Sequence, residues 1–309
     1  MKEKISEIKI IFFASGEFGA LILEKISQSK YKPSLVFTNP DKPVGRKKII
    51  TSPPVKISAQ KNNIPLIQTE KIKDLKPKIE NIKPDLAIVS DYKQIIPIEI
   101  LKIPKFGFIN IHPSLLPKYR GPSPIQTTIL NGETESGVSL ILMDEKIDHG
   151  PILNQKKINI PKKIYFPELK IKLAKLGADL IIETIPKWIN KKIKPQTQDE
   201  SKATYTKIIK KEDGKIDWSR SAKEIERKIR AFYPWPGTFT FFKKSGKILR
   251  TKILEAEFFS SLKESKKGLW IKTDKNDYLL IKKLQPEGKK IMTAEEFKNG
   301  YGDAILLRN

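Results

Sequence analysis

The stretch FGFINIHPSLLPKYRGPSP, residues 106–124, indicates both the fold and the position of a site. It begins as a strand whose side chains alternate, so Phe108, Asn110 and His112 share one face while isoleucines occupy the other. Pro113 then ends regular strand pairing. An amide beside an imidazole suits a reaction in which a carbonyl oxygen becomes negatively charged. We therefore interpret this stretch as the candidate active site.

Buried strands are also predicted on both sides of this stretch. The apolar runs IKIIFFA (8–14) and DLAIVS (85–90) precede it, and VSLILM (138–143) follows it. Helical patterns separate the earlier strands, and this alternation is typical of an open α/β sheet with right-handed crossovers. Such sheets bind ligands at the carboxyl ends of their strands, and Asn110 and His112 lie at such an end.

The last third of the sequence has a different pattern. An amphipathic helix is predicted over residues 166–190, and the polar segment 191–206 lacks periodicity and is predicted to be a linker. Short strands typical of a small barrel are then predicted at 238–242, 248–257, 268–273 and 278–282. We therefore predict a first domain of residues 1–190, the linker 191–206 and a second domain of residues 207–309.

Composition narrows the class of protein. The 309 residues include no cysteine and two histidines, which excludes disulfides and thiolate metal sites and argues against a histidine-rich metal centre. The N-terminal sequence MKEKISEIKIIFFAS has no long apolar segment, and no run approaches the length of a membrane span. We expect a cytoplasmic protein that binds neither a metal nor a membrane.

The formal net charge of +25, from 60 Lys and Arg against 35 Asp and Glu, has two explanations. It favours a polyanionic partner such as a nucleic acid. Alternatively, the abundance of Lys and Ile reflects an AT-rich genome. The long loop 39–56, with its basic cluster Arg46-Lys47-Lys48, is likewise either functional or an ordinary solvated surface.

Two further motifs have competing interpretations. Gly16 and Gly19 lie in a strand-to-helix turn, but the pattern GxGxxG is absent and we exclude a dinucleotide site. Trp235, which lies between prolines, is suited either to stack on a base or to anchor the barrel. We interpret it as an anchor.

Asp148 follows the predicted strand 138–143. If that strand neighbours the strand that ends at His112, the carboxylate reaches the imidazole and fixes its orientation. No Ser or Cys is well placed as a nucleophile, which favours direct transfer without a covalent enzyme intermediate. The Asn110-x-His112 spacing by itself also fits a satisfied polar pair in the core.

The motif Asn110-x-His112-Pro-Ser-Leu-Leu-Pro117, followed by Asp148, resembles the formyltransferases that use 10-formyltetrahydrofolate. Within that family, the methionyl-tRNA formyltransferases are similar in the segments PDKPVGRKK (40–48), RGPSPIQ (120–126), IDW (216–218) and RAFYPWP (230–236). The resemblance covers nearly the whole chain. It implies a Rossmann-like open sheet that carries the formyltransferase site, followed by a smaller OB-like β-barrel domain.

The resemblance also implies a reaction and the residues that serve it. A formyl group would pass from 10-formyltetrahydrofolate to the α-amino group of initiator methionyl-tRNA, giving N-formylmethionyl-tRNA for translation initiation. The catalytic residues would be Asn110, His112 and Asp148. The folate-binding residues would be Ser114, Leu115, Leu116, Pro117, Asp91, Tyr92 and Ile95. The tRNA-binding residues would be Lys42, Arg46, Lys47 and Lys48. We expect a monomer.

Two other functions share part of this pattern. A sugar-nucleotide N-formyltransferase would have the same Asn, His, Asp and Ser-Leu-Leu-Pro loop, but the Arg46 loop and the second domain favour tRNA. A non-enzymatic RNA-binding protein would need only a basic surface, and the retention of all three polar residues argues against it. His149 stands where the family commonly has a small residue or threonine, and a role in catalysis stays open.

Overall fold

The computed structural model describes residues 8–45, 47–263 and 265–308, which pack into two compact units. Unit 1 comprises residues up to 121, 135–159 and 170–206, and unit 2 comprises 122–134, 160–169 and the residues from 207 onward. Two segments that precede residue 170 therefore pack with the C-terminal part. No helix within the described ranges is long and apolar enough to cross a membrane.

Strands and helices are numbered in chain order. The strands are β1 (Ile10–Ala14), β2 (Leu35–Thr38), β3 (Lys42–Val44), β4 (Ile49–Thr51), β5 (Leu66–Gln68), β6 (Leu86–Ser90), β7 (Phe108–His112), β8 (Glu135–Leu142), β9 (Ile152–Asn159), β10 (Thr238–Lys244), β11 (Lys247–Phe259), β12 (Leu269–Lys272), β13 (Tyr278–Pro286), β14 (Met292–Thr293) and β15 (Ile305–Leu307). The α-helices are α1 (Glu17–Ile26), α2 (Pro54–Lys61), α3 (Lys76–Ile82), α4 (Ile98–Leu101), α5 (Pro124–Asn131), α6 (Phe166–Ile189), α7 (Ala222–Ala231) and α8 (Ala294–Tyr301).

Seven strands of unit 1 form one sheet in the order β5-β2-β1-β6-β7-β8-β9. The strands from β5 to β7 run parallel, β8 pairs antiparallel with β7, and β9 pairs antiparallel with β8. This architecture confirms the predicted open α/β sheet. The antiparallel direction of β8 is not evident from the sequence, because a buried apolar run has the same composition in either direction.

The strand register explains where the polar side chains of β7 emerge. Phe37, Phe13, Val89 and Asn110 lie side by side on adjacent parallel strands. The first three belong to an apolar cluster with residues of α3 and α4, in which the rings of Phe13 and Phe37 stack 4.5 Å apart. Asn110 is the polar end of this row, and His112 follows on the same face. The core thus places both side chains at the carboxyl edge of the sheet.

Unit 2 is built on a curled antiparallel sheet in the order β12-β13-β11-β10-β15, with β14 paired to β13. Helix α7 begins with a capping box, in which Ser221 and Glu224 each accept from the other's main-chain N–H group. Apolar residues of α7 pack with Trp218, whose Nε1 donates to Thr240 Oγ1 at 3.0 Å. This half-barrel confirms the predicted OB-like domain.

The role predicted for Trp235 is wrong. Its side chain is 57% exposed, whereas Trp218 is 1% exposed within the apolar core of unit 2. A tryptophan anchors a core when its ring is buried and its N–H finds a partner, which describes Trp218. The flanking prolines of Trp235 indicate a constrained turn and carry no information about burial.

The long loop 39–56 contains a short antiparallel hairpin, β3 and β4, which the sequence does not predict. Every residue of both strands is exposed, including Val44, Ile49 and Ile50 at 57–65%. Arg46 lies outside the described residues. The hairpin therefore presents lysines and branched apolar side chains side by side to solvent.

Candidate active site

Asn110 and His112 lie at the carboxyl end of β7. His112 is 4% exposed, and its Nε2 lies 3.0 Å from the main-chain carbonyl oxygen of Tyr119. Because a carbonyl oxygen only accepts, Nε2 carries the hydrogen in the neutral ring. Nδ1 is therefore the ring nitrogen that can gain or give up a proton.

The Asp148 carboxylate lies against both side chains. Asn110 Nδ2 donates to Asp148 Oδ1 at 2.9 Å, and His112 Nδ1 lies 3.5 Å from Asp148 Oδ2. Only 11% of the Asp148 side chain is exposed. The structure therefore brings together the amide, the imidazole and the carboxylate that the sequence singled out.

Asp148 reaches this place on a loop that folds back. Antiparallel pairing puts Leu142, the end of β8, beside Ile109 near the start of β7 and not beside His112. The chain after Leu142 leaves the sheet and returns to it, where Leu142 N donates to the Pro151 carbonyl oxygen at 3.0 Å. Within this loop Asp148 has a φ of +49°. The loop after β8, and not the end of the strand itself, therefore brings Asp148 to Asn110 and His112.

The segment Tyr119-Arg120-Gly121 touches the site through its main chain. The Tyr119 carbonyl faces His112, and Gly121 N donates to Asp148 Oδ2 at 2.8 Å. Gly121 has a φ of +104°, and a Cβ there would lie 2.9 Å from the Thr206 hydroxyl oxygen. Glycine is therefore needed for this close approach. The sequence identified the segment as part of a family motif without indicating these contacts.

The predicted folate turn, Ser114–Pro117, is fastened to β8 and β9. Ser139 Oγ donates to the Ser114 carbonyl oxygen at 2.6 Å and accepts from Leu116 N at 3.0 Å. Gln155 Nε2 donates to the Leu116 carbonyl oxygen at 2.8 Å. These bonds fix a turn that directly follows His112. Ser139 and Gln155 were not predicted, because they bond to main-chain atoms of the turn and to each other.

The residues predicted to form a second folate wall have different surroundings. Asp91 follows β6 at the carboxyl edge, where protein atoms crowd its carboxylate although solvent still reaches it. This desolvation raises the pKa of Asp91 to about 6, against the lowering effect of Lys93. Tyr92 turns inward, its ring 5.6 Å from that of Phe13, while Ile95 is 83% exposed.

Three of the four residues predicted to bind tRNA lie on or near the β3–β4 hairpin. Lys42, Lys47 and Lys48 are exposed, and Arg46 lies outside the described residues. Lys42 Nζ lies 3.6 Å from Glu70 Oε1, an exposed ion pair that contributes little to stability. The side chains of this hairpin are therefore accessible to a partner.

His149 is held by acidic side chains beside the site. Its Nδ1 lies 2.5 Å from Asp144 Oδ2, and its Nε2 lies 3.6 Å from Glu200 Oε1. The residues that the structure describes include no group of three or more His, Asp or Glu side chains arranged to hold a metal ion.

These three side chains suit transfer of an acyl group. A carboxamide nitrogen has two hydrogens, so Asn110 can donate one to Asp148 and the other to an oxyanion. The His112–Asp148 pair can hold and move a proton next to it. An oxyanion donor beside a proton carrier is the arrangement that acyl transfer requires.

Comparisons with known proteins identify the class. The family model described as "Formyl transferase" matches residues 8–185, and the model described as "Formyl transferase, C-terminal domain" matches residues 208–302. The chain therefore belongs to the formyl transferase family, both of whose domains it carries. This confirms the family predicted from the sequence and makes the chain a formyl-transferring enzyme.

Curated relatives within this family are methionyl-tRNA formyltransferases. That of Thermodesulfovibrio yellowstonii is 44% identical over 294 residues, which cover 94% of this chain and 95% of the relative. That of Enterococcus faecalis is 40% identical, with 97% of this chain and 98% of the relative covered.

Solved structures share the fold at lower identity. The N-formyltransferase of Helicobacter canadensis, in complex with folinic acid and dTDP-3-aminofucose, aligns with a TM-score of 0.63 and 22% identity, covering 90% of this chain and 99% of that one. HypX of Aquifex aeolicus, in complex with tetrahydrofolic acid, aligns with a TM-score of 0.63 and 19% identity, covering 95% of this chain and 47% of that one.

Proposed function

We propose that this protein transfers the formyl group of 10-formyltetrahydrofolate to the α-amino group of initiator methionyl-tRNA. The observation that carries the proposal is the meeting of Asn110, His112 and Asp148 at the end of β7, in a chain 44% identical to a methionyl-tRNA formyltransferase. The products would be N-formylmethionyl-tRNA, for translation initiation, and tetrahydrofolate.

In the proposed reaction, the methionine amine attacks the formyl carbon. A new C–N bond forms, the bond from the formyl carbon to folate N10 breaks, and the formyl oxygen carries a negative charge in between. The second hydrogen of Asn110 Nδ2 and a proton on His112 Nδ1 stabilise that charge. Asp148 holds the imidazole and helps to remove the proton of the amine, while N10 gains a proton as it leaves. No covalent enzyme intermediate is required.

The turn Ser114–Pro117 is proposed as one wall of the folate site, with Asp91, Tyr92 and Ile95 on the other side. The bonds from Ser139 and Gln155 support this role, since a turn held by the sheet can orient the formyl donor beside His112. The donor is a substrate that leaves as tetrahydrofolate.

We assign tRNA binding to two regions of the chain. The β3–β4 hairpin, with Lys42, Lys47, Lys48 and the adjacent Arg46, is proposed to contact the acceptor end. Residues 1–190 would carry the chemistry, and residues 207–309, connected through 191–206, would bind the body of the tRNA. The net charge of +25 supports a polyanionic partner. We propose that the protein carries out this reaction as a monomer in the cytoplasm.

A formyl-transfer assay with alternative acceptors tests the proposed function. The enzyme and 10-formyltetrahydrofolate are incubated with methionyl-initiator tRNA, with methionyl-elongator tRNA or with a nucleotide-linked amino sugar. We expect rapid formylation of the initiator, slower formylation of the elongator and none of the sugar. Formylation of the sugar with none of the tRNA would reassign the acceptor while keeping the reaction class.

The hairpin is tested separately with a double variant. Lys47→Ala with Lys48→Ala should raise the KM for methionyl-tRNA about 10-fold or more, because each cation lost weakens binding to phosphates. The matched control, Lys73→Ala with Lys78→Ala, removes two exposed lysines of unit 1 from the 3-10 helix Ile72–Leu75 and from α3. Equal effects of the two double variants would show that only total charge matters.

A further inference from the structure

Gln198 lies in the polar segment 191–206 but is 5% exposed. This segment is part of unit 1 and is bonded to it through its main chain at two places. Gln196 pairs with Ile152, and Arg120 bonds to Thr204 and Thr206. Burial of a glutamine requires partners for both its oxygen and its nitrogen. Those partners connect Gln198 to the candidate active site.

The amide nitrogen of Gln198 holds the loop that carries Asp148. Nε2 donates to the Asp148 carbonyl oxygen at 2.9 Å and to the Gly150 carbonyl oxygen at 2.7 Å. Asp148 has a φ of +49°, a left-handed conformation that is uncommon for residues other than glycine. The two bonds hold the main chain on the C-terminal side of Asp148, the residue whose side chain touches Asn110 and His112.

Arg120 determines which way the Gln198 amide faces. Its side chain is fully buried, and its Nε and Nη2 donate to Gln198 Oε1 at 3.1 and 2.8 Å. Because a guanidinium only donates, the oxygen of Gln198 must face Arg120 and its nitrogen must face the loop. Glu200 in turn accepts from Arg120 Nη1 and Nη2 at 3.0 and 2.6 Å.

We propose that Gln198 is a positioning residue, which holds the Asp148 loop so that the carboxylate stays between Asn110 and His112. The inference rests on the proposed function insofar as it takes Asp148 to be catalytic. Gln198 bonds to the main-chain carbonyl oxygen of Asp148 and therefore acts on its carboxylate indirectly. Arg120 supports the same geometry twice, because it orients Gln198 while its neighbours Tyr119 and Gly121 bind His112 and Asp148.

Gln198→Glu is the most informative variant. A carboxylate keeps the acceptor for Arg120, but it cannot donate to the carbonyls of Asp148 and Gly150. The titratable and charged groups around this network include His112, Asp148, Arg120, Glu200, His149, Asp144 and Lys146. The new charge therefore lies beside a guanidinium, which favours folding of the variant.

The kinetic test compares Gln198→Glu with Gln196→Glu. Gln196 lies in the same segment with an exposed side chain, so it provides the same change without the network. We expect Gln198→Glu to lower kcat on the order of 10- to 100-fold, with little change in the KM for methionyl-tRNA or for the folate donor. Gln196→Glu should leave kcat and both KM values unchanged. In an Asp148→Asn background, Gln198→Glu should cause almost no further loss, because both changes remove the same function.

A second readout does not depend on activity. His112 and His149 are the only histidines of the sequence, so ¹⁵N labelling of histidine gives few ring signals in an NMR spectrum. The signals that remain in the His149→Asn variant belong to His112. We expect the His112 signals of Gln198→Glu to move toward those of Asp148→Asn, and those of Gln196→Glu to match wild type. Unchanged His112 signals in folded Gln198→Glu protein would overturn the positioning role.

The outcomes separate the two proposals. If wild type does not formylate methionyl-tRNA but Gln198→Glu moves the His112 signals, the proposed function fails and the positioning role stands. If Gln198→Glu does not fold, Gln198→Met, which keeps the chain length and loses both donors, takes its place with the same expected signals. If Gln198→Glu lowers kcat by the same factor in the Asp148→Asn variant as in wild type, Gln198 does not act through Asp148, and the proposal is wrong.

Discussion

Tyr119 and Gly121 serve the site through main-chain atoms. The carbonyl of Tyr119 determines which ring nitrogen of His112 exchanges a proton, and the N–H of Gly121 binds one oxygen of Asp148. A main-chain donor is fixed more firmly than a side chain, since no rotamer has to be held. The carboxylate is thus oriented by Gly121 on one side and by Asn110 on the other.

Gly121→Ala should impair both stability and activity. At a φ of +104° the added methyl group is strained, and it would lie 2.9 Å from the Thr206 hydroxyl oxygen and 3.1 Å from its carbonyl oxygen. We expect a loss of about 1 to 3 kcal/mol in the free energy of unfolding. Movement of the Gly121 N–H away from Asp148 should lower kcat on the order of 10-fold or more.

Gly246→Ala provides the control for strain alone. Gly246 has a φ of +77°, and a Cβ there would meet no atom within 4 Å. This variant should lose roughly 1 kcal/mol of stability with kcat unchanged. Denaturant unfolding and steady-state kinetics measure both quantities, and an undiminished kcat in Gly121→Ala would contradict the role given to its N–H group.

Strand β11 carries Glu257, on which three lysines converge in unit 2. Lys163, Lys282 and Lys266 lie 2.9, 3.0 and 3.3 Å from its carboxylate oxygens. Chiefly through Lys163 and Lys282, they lower the pKa of Glu257 to about 2 from an ordinary value of 4.5. A folded-state pKa below the unfolded value stabilises the fold above pH 4.5, and this stabilisation is lost as the pH falls toward 2.

Glu257→Gln should therefore destabilise unit 2 in a pH-dependent way. We expect a loss of about 1 to 2 kcal/mol at pH 7, smaller than the full pKa shift implies because the lysines remain partly solvated. The loss should shrink between pH 5 and pH 3. Urea unfolding followed by tryptophan fluorescence measures it, and Glu255→Gln, which removes one exposed pair with Lys283 from the same strand, should change little. A loss that does not vary with pH would contradict the ionic explanation.

Strand alternation was enough to place Asn110 and His112 on one face of β7, because side-chain direction follows from strand geometry alone. The position of Asp148 was anticipated from neighbouring strands, but the antiparallel direction of β8 means that a folded-back loop delivers it. The conformation of such a loop depends on contacts with distant segments, and its sequence contains no periodic signal.

The packing of the segment 191–206 also could not be predicted from its sequence. Its polar, aperiodic sequence suggested a linker, yet Gln198 is buried and the main chain pairs with Ile152 and Arg120. These contacts are hydrogen bonds to main-chain atoms and to a buried guanidinium, and no hydrophobic pattern accompanies them. Patterns of apolar residues therefore predicted the sheet and the half-barrel but not the polar packing that surrounds the site.

The net charge of +25 belongs to the molecule as a whole and has a measurable consequence. If about four phosphates are contacted, the Kd for tRNA should rise roughly 100-fold between 50 and 200 mM salt. Binding of the folate donor, measured as the control, should change far less. A Kd for tRNA that does not change with salt concentration would indicate that the net charge reflects only a bias in composition.

The central claim is that Asn110 and His112 carry out formyl transfer to methionyl-tRNA. Single-turnover formylation of methionyl-initiator tRNA, measured for wild type, Asn110→Ala and His112→Ala with tRNA binding measured alongside, tests it most directly. We predict that each substitution abolishes transfer, with losses on the order of 100-fold or more, while the Kd for tRNA stays nearly unchanged. Transfer at the wild-type rate by either variant would contradict the account.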